Sequence, residues 1–128
     1  LTHKNTDDIW ENSILVPVPM HITKQKDRGY NQAQELAREL GHLVNVPTVY
    51  NNLIKIRPTK PQIKLTGPER AQNLAGAFQI KNPQEFAGKK VFLIDDVYTT
   101  GSTMAECAKT LRASGAKQVW GIAVAREG

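Results

Sequence analysis

The apolar residues of the chain fall mainly into short runs that are separated by polar and turn-forming residues. Short apolar runs bounded by proline, glycine or polar clusters are typical of β-strands. They predict strands at Ser13–Val16, Asn52–Ile56, Ala77–Ile80, Val91–Ile94 and Val119–Ala125. Pro17 and Pro19 cannot donate hydrogen bonds to a strand ladder, so the first strand should end near them.

Two segments have the periodicity of amphipathic helices. The first has apolar residues at i, i+3, i+4 and i+7 spacing, which we expect on its buried face: Ala33, Leu36, Ala37, Leu40 and Leu43. Asn31 is placed to cap this helix, and Gln34 could close a capping box with it. The second helix is expected from about Ser102 to Ser114, with Gly115 as its stop signal. Three of its residues should face inward: Met104, Ala108 and Leu111.

The order of these elements is typical of an α/β fold with a parallel sheet flanked by helices. One segment, Arg57–Glu69, is rich in proline and polar residues, and we interpret it as a loop of functional length. We expect a single domain over residues 1–128, in which the polar residues 1–12 form a terminal arm. Ligands of such sheets bind beyond the carboxyl ends of the strands.

Composition narrows the classes of function only slightly. No apolar run approaches the roughly 20 residues of a membrane helix, so we expect no membrane insertion. The single cysteine, Cys107, excludes an internal disulfide and a multi-cysteine metal site, and it fits a reducing, cytoplasmic location. Seventeen Lys and Arg against twelve Asp and Glu give a net charge of +5, which favours anionic ligands. The basic residues are spread along the chain, so a solvated basic surface remains an alternative.

The segment that follows the fourth predicted strand combines two acids with a hydroxyl-rich loop. Asp95 and Asp96 end the strand, and Thr99, Thr100, Gly101, Ser102 and Thr103 lead into the second helix. Gly101 allows the backbone to approach a ligand closely. The first N–H groups of a helix lack partners and favour an anion. The loop is therefore expected to bind a phosphate group.

The acids would repel a phosphate if they pointed at it, so they are better placed about one sugar length away, on ribose hydroxyls. A sugar phosphate explains both features. The alternative is a strand that ends in exposed acids before an ordinary helix, with Thr103 and Glu106 as its capping box. The nucleotide P-loop and the dinucleotide fingerprint are both absent from the sequence.

The stretch Val91–Thr103 resembles the motif of type I phosphoribosyltransferases that binds 5-phosphoribosyl-1-pyrophosphate (PRPP). The resemblance implies that Asp95 and Asp96 bind the ribose hydroxyls and assist a Mg²⁺–pyrophosphate group. It implies that the loop from Thr99 to Thr103 binds the 5′-phosphate. Mg²⁺ would then be a cofactor that binds with PRPP, and no metal site of the protein alone is expected.

Further segments resemble the ComF group of that superfamily: Leu15–Pro19, Arg28–Gln32, Gln62–Leu65, Arg70, Asn73–Leu74 and Gly76–Phe78. Members of this group are associated with DNA uptake in natural competence, so a protein of the competence machinery is an implied partner. Many carry an N-terminal zinc ribbon, which one cysteine cannot supply here. We expect any contact with nucleic acid to be weak, independent of sequence and salt-dependent.

The resemblance also assigns the loops around the site. The loop after the first strand contains Lys24, Lys26 and Arg28 and would bind pyrophosphate, with Arg28 as its main contact or as a simple surface arginine. The loop Arg57–Arg70 resembles a mobile hood, with Lys60 and Lys64 among its basic residues, although a disordered surface loop is the alternative.

Four further positions bear on the chemistry. Tyr98 either contributes to the acceptor pocket or packs under the hood. His21 lies near the site and is a weaker candidate for a base. Thr99 stands where purine-salvage relatives usually have a carboxylate, which argues against purine salvage. Cys107 is expected to be a buried structural thiol.

Two hypotheses follow. The first is a Mg²⁺-dependent enzyme that transfers ribose 5-phosphate from PRPP to a nitrogen acceptor and releases pyrophosphate. The second is a non-catalytic PRPP- or phosphate-binding module that acts through a protein or nucleic-acid partner.

Overall fold

A computed structural model describes residues 9–21, 31–60, 65–98 and 101–126, with residues 97, 98 and 124–126 described by their backbone alone. In chain order, its elements are β1 (Ser13–Pro17), α1 (Gln32–Val44), β2 (Leu53–Lys55), α2 (Gly67–Leu74), β3 (Phe78–Ile80), a 3₁₀ turn (Pro83–Glu85), β4 (Lys90–Tyr98), α3 (Ser102–Ala113) and β5 (Gln118–Arg126). The predicted α/β class and parallel sheet are confirmed.

The parallel sheet has the strand order β1-β4-β5. Val16 lies opposite Leu93 of the central strand, and Leu93 lies opposite Gly121 of β5. A bridge from Leu15 to Thr48 extends this sheet on the outer side of β1. The two faces of β4 belong to two separate apolar clusters, because successive side chains of a strand point to opposite sides.

One cluster lies between the sheet and α3, where Val91 and Leu93 pack with Cys107 and Leu111. The other lies between the sheet and α1, where Phe92 and Ile94 pack with Leu15 and Ala37. Trp10 belongs to the second cluster, with its ring centroid 4.9 Å from that of Phe92. Residues 9–12, which the sequence assigns to a terminal arm, therefore begin the packed part of the domain.

Helix α1 confirms the predicted cap but corrects the predicted buried face. The Asn31 side-chain oxygen accepts hydrogen bonds from the N–H groups of Ala33 and Gln34. The fully buried positions are Ala33, Ala37 and Gly41, whereas Leu43 is 83% exposed. A small residue is needed at position 41, because a Cβ there would lie 2.9 Å from the Val46 carbonyl oxygen.

The second structural unit is the antiparallel hairpin of β2 and β3, with helix α2 in the connection between them. The prediction that all strands join one parallel sheet is therefore wrong for these two strands. The prediction that Arg57–Glu69 contains no regular element is also wrong, because α2 begins at Gly67. Thr66 caps α2 in a reciprocal capping box with Glu69, with a proline in the first turn. The capping box and the proline in the first turn favour a helix start at this position, although the other proline and glycine residues of the segment favour a loop.

None of the helices in the described part of the chain has the length and hydropathy needed to cross a bilayer.

Candidate ligand-binding site

The two acids lie in β4, at the point where its neighbour β1 ends. Pairing with β1 stops at Pro17 and Ile94, while pairing with β5 continues to Tyr98 and Arg126. The strand is therefore longer than the predicted Val91–Ile94 with two acids at its end, since β4 continues through Asp95 and Asp96 to Tyr98, paired on the β5 side only. Beside the acids, the N–H of Val18 donates to the Ile94 carbonyl at 2.8 Å. In the part of the chain that the structure describes, no strand pairs with β4 beside the acids on the β1 side.

The alternation along β4 assigns the two carboxylates to opposite faces of the sheet edge. Asp95 continues the row of Val91 and Leu93, which faces α3, and Asp96 continues the row of Phe92 and Ile94, which faces α1. Both acids are half-buried. Asp95 Oδ1 also accepts a hydrogen bond of 2.9 Å from the N–H of Asp96. Asp95 thus shares a face with the helix that follows the predicted phosphate loop.

Helix α3 begins at Ser102, after Gly101 as the cap residue. Gly101 has a φ of +79°, a left-handed conformation in which any residue with a Cβ is strained. Thr103 lies inside the first turn, so the capping box with Glu106 that the sequence permits is not the cap of this helix. The first turn is half-buried. The first N–H groups of α3 therefore receive no side-chain hydrogen bond from the cap residue.

A cavity of about 260 Å³ lies at the carboxyl end of β1. Its described lining comes from the end of β1, the first turn of α1 and strand β2: Pro17, Pro19, Met20, Asn31, Gln34, Val49, Asn51, Leu53, Ile54 and Lys55. Asn31 is 7% exposed, and its Nδ2 lies 3.4 Å from the Val18 carbonyl oxygen. Pro17, which lines this cavity, pairs with Ile94, the residue before the two acids of β4; the acids themselves are not among the described lining residues.

Known proteins share this combination of sequence and fold. Residues 25–127 match the family described as "Phosphoribosyl transferase domain". The chain belongs to the phosphoribosyltransferase family. The matched residues make up most of the chain and include β4, the predicted phosphate loop and α3.

The resemblance of this phosphoribosyltransferase domain to the ComF group is confirmed by its relatives. It is 38% identical to "Competence protein F" of Haemophilus influenzae over 94% of this chain and 54% of that protein. It is 35% identical to "DNA utilization protein YhgH" of Salmonella typhi over 83% and 47% of the two chains. It is 35% identical to "Competence protein ComFC" of Bacillus subtilis over 80% and 39%. The chain thus spans about half the length of these relatives.

Solved structures confirm the type I phosphoribosyltransferase fold. A phosphoribosylpyrophosphate synthetase from Mycobacterium smegmatis superposes with a TM-score of 0.57 at 19% identity, over 97% of this chain and 32% of that chain. A purine phosphoribosyltransferase from Pyrococcus horikoshii gives a TM-score of 0.52 at 17% identity, over 96% and 66% of the two chains. At these identities the comparison concerns the fold alone.

The structure separates the basic residues predicted for the phosphoribosyltransferase site. Lys60 lies beside α2, where its backbone N–H and carbonyl are both bonded to the Asn73 side chain at 3.0 Å. It borders a different cavity from the one at the end of β1. Arg70 lies on α2 and lines a groove with Ser102 at the start of α3. Of these two side chains, Arg70 is therefore the one that the fold brings to the predicted phosphate loop.

Four predicted contacts lie outside the described residues: Arg28, Lys64, Thr99 and Thr100. Tyr98 is described only by its backbone, which pairs with Arg126 at the end of β4. His21 is half-buried and directly follows Met20, which lines the cavity at the end of β1. The roles predicted for these residues stay predictions.

Sequence reasoning missed Lys55, the last residue of β2, which lines that same cavity. A single lysine at the end of a short strand carries no recognisable signal, because exposed lysines commonly end strands. Its position depends on the pairing of β2 with β3, which the sequence did not predict.

Cys107 is a buried residue of α3, as expected. Burial raises the pKa of its thiol, and the nearby charge of Asp95 raises it further, while Lys55 acts in the opposite direction. The thiol therefore stays protonated near neutral pH and is a poor nucleophile. The same charges indicate that Asp95 and Lys55 both lie near the first turns of α3.

Proposed function

We propose that this domain binds PRPP together with Mg²⁺ and transfers its ribose 5-phosphate to a nitrogen acceptor, with release of pyrophosphate. The observation that carries the proposal is the position of Asp95. It lies just beyond the end of β1, on the face of the sheet that α3 covers, and α3 begins seven residues later, directly after the cap residue Gly101. Membership of the phosphoribosyltransferase family supports the same function.

In this proposal the ribose lies between Asp95 and the first turn of α3. The carboxylate of Asp95 accepts hydrogen bonds from the ribose hydroxyls, and the N–H groups of Ser102 and Thr103 hold the 5′-phosphate. Hydrogen bonds to a charged group contribute roughly 1.5–3 kcal/mol each. Arg70, across the groove from Ser102, adds positive charge on the phosphate side. Asp96, on the opposite face, has the smaller part in binding the sugar.

The acids fit the way in which Mg²⁺ binds in proteins, which is through one or two carboxylates completed by water and substrate phosphates. Among the described residues, no three acids, histidines or cysteines lie together as a metal site. In this proposal Asp95 and Asp96 would hold Mg²⁺ together with PRPP, and the ion would supply positive charge against the charge that develops on the departing pyrophosphate.

The relatives' names refer to competence and to DNA utilization, and we extend the proposal to a role in DNA uptake. The net charge of +5, and a threonine at position 99 where purine-salvage relatives usually have a carboxylate, favour a second candidate: a module that binds PRPP and acts through a partner. The two candidates share the ligand and differ in turnover. A scan of nucleobases and simple amines for PRPP-dependent release of pyrophosphate separates them.

The proposal is tested by titration calorimetry with PRPP and Mg²⁺ on the wild type, Asp95→Asn and Asp96→Asn. Two lost charge-assisted hydrogen bonds should weaken binding to Asp95→Asn by about 100-fold, and Asp96→Asn should lose less. Glu39→Gln, an exposed acid of α1, makes the same charge change away from the site and should bind as the wild type does. No binding by the wild type would refute the function. Unchanged binding by Asp95→Asn would refute the site.

A further inference from the structure

Lys55 is held in place by the hairpin. It lies directly opposite Phe78 in the β2–β3 ladder, and its Nζ is 5.9 Å from the centroid of the Phe78 ring. Phe78 is only 7% exposed, so the lysine is anchored over the edge of the core. A cation near an aromatic face is attracted by the ring quadrupole. The ammonium group is therefore confined to one region instead of sampling the surface freely.

That region lies beside the end of β1, whose last residue, Pro17, pairs with Ile94, the residue before the acids of β4. Lys55 lines the cavity at the end of β1 together with Pro17, and Val18 of the same segment is bonded to Ile94. The charges of Asp95 and Lys55 act on the pKa of the nearby Cys107 thiol in opposite directions. Of the described residues that line the cavity, none is acidic and Lys55 is the one cation. This end of the site therefore favours an anionic group.

The orientation of the ligand decides which anion that is, and this step rests on the proposed function. With the 5′-phosphate at the start of α3 and the hydroxyls at Asp95, the anomeric carbon points away from α3. The diphosphate attached to that carbon then extends towards the end of β1, where the cavity lies. It carries several negative charges and passes close to two carboxylates, so a cation is needed there.

We propose that Lys55 binds the diphosphate of PRPP. It stabilises the ligand and then the departing pyrophosphate, as positively charged groups do when they are fixed before the reaction. Because Lys55 belongs to the hairpin, this contact also ties β2 to the ligand held by the parallel sheet. Ribose 5-phosphate lacks the diphosphate and therefore gains nothing from Lys55.

The experiment compares PRPP–Mg²⁺ with ribose 5-phosphate by calorimetry on the wild type, Lys55→Gln, Lys55→Met and Lys55→Arg. Lys55→Met keeps an unbranched stem over Phe78 and removes the charge. Loss of one charge-assisted hydrogen bond should weaken PRPP binding about 10- to 100-fold in the Gln and Met variants. Binding of ribose 5-phosphate should change less than about twofold, and Lys55→Arg should recover part of the loss. Lys117→Gln, an exposed lysine before β5, controls for net charge.

The outcomes separate this inference from the proposed function. If both uncharged variants lose affinity equally for both ligands, Lys55 supports the fold and the inference is wrong. Unchanged PRPP binding overturns it as well. A wild type that binds both ligands with equal affinity leaves the sugar-phosphate site intact but excludes a diphosphate contact. A wild type that binds neither ligand overturns the proposed function itself. Thermal unfolding of each variant, with its melting temperature close to that of the wild type, shows that the comparison is made on folded protein.

Discussion

The parallel sheet and the β2–β3 hairpin contribute to one apolar cluster but differ in their polar contacts. The central strand β4 is flanked by strands on both sides and covered by α3 on one face and α1 on the other, and its apolar residues Val91, Leu93 and Ile94 are at most 1% exposed. The hairpin has strands of three residues, and its Leu53 and Phe78 pack in the same apolar cluster as Val91 and Leu93. In addition, its ends are held by side-chain hydrogen bonds to backbone groups.

Asn52 is the centre of the hairpin's polar contacts. It is 2% exposed, and its Oδ1 accepts hydrogen bonds from the N–H groups of Lys81 at 3.0 Å and Asn82 at 2.8 Å. Its Nδ2 donates to the Asn82 carbonyl at 2.9 Å. One side chain thus joins the start of β2 to the turn after β3. The two regions therefore contribute different parts of the candidate site. The sheet holds the two acids, and the hairpin positions Lys55.

The largest effect on stability is expected from the sheet. Leu93→Ala should lower the free energy of unfolding by about 2–5 kcal/mol, because it removes a fully buried side chain and leaves a cavity. Ile56→Ala, at the hairpin, is the matched control: Ile56 is 48% exposed and should cost less than about 1 kcal/mol. Urea denaturation of both variants measures the difference. Equal losses would mean that burial in the shared core does not determine the cost of removing an aliphatic side chain at these two positions.

Asn52→Ala should have the next largest effect, of about 1–3 kcal/mol, since it removes a buried side chain that bonds to the Lys81 and Asn82 N–H groups and to the Asn82 carbonyl. Gln79→Ala is its control, because Gln79 is an exposed amide of the same hairpin. We expect faster hydrogen exchange in β2 and β3, with little change in β4, and weaker PRPP binding because Lys55 is less well held. If exchange accelerates equally in β4, the hairpin does not open as a separate unit and the contrast between the regions is wrong.

The sheet could be predicted from the sequence, and the hairpin could be predicted only in part. Val91–Ile94 is a continuous apolar run, which the burial of both faces of a central parallel strand requires. The strands at Leu53 and Phe78 were located as well, but their antiparallel pairing depends on Asn52 and on contacts some 30 residues apart. A pattern of apolar residues contains no information about such a contact.

The candidate site shows the same division. Asp95, Asp96 and Gly101 were identified because adjacent acids before a hydroxyl-rich loop are uncommon without a ligand. The two acids lie on opposite faces because β4 continues along β5 beyond Ile94. The sequence did not predict this continuation, because the apolar run ends at Ile94. The prediction that Leu43 is buried was wrong for a different reason. Helix α1 approaches residues 46–48 most closely at Gly41, so its buried face includes Gly41 and not Leu43.

The smallest effect is expected at α2, which begins inside the hairpin connection. The Thr66 N–H donates to the Glu69 carboxylate at 2.8 Å, and the Glu69 N–H donates to the Thr66 hydroxyl at 3.3 Å. The bond from the Thr66 backbone lowers the pKa of Glu69. A carboxyl whose pKa is lower in the folded state stabilises that state above its unfolded pKa, and this contribution is lost as the pH falls through the folded pKa.

The first turn of α2 should therefore lose helical order on acidification below about pH 4, the range in which glutamate titrates. Glu69→Gln is the decisive variant, because glutamine can close the same capping box without a charge. Its α2 should respond to pH less than that of the wild type, whereas Glu69→Ala should lose order at every pH. The Cα chemical shifts of α2, followed from neutral to acidic pH in the wild type and both variants, measure this order residue by residue.

A glutamine variant with the same pH dependence as the wild type would mean that another group controls α2. Shifts that also move in β4 at the same pH would mean that the acid response belongs to the whole domain, and the contrast between an apolar sheet and a polar hairpin would not extend to their behaviour with pH.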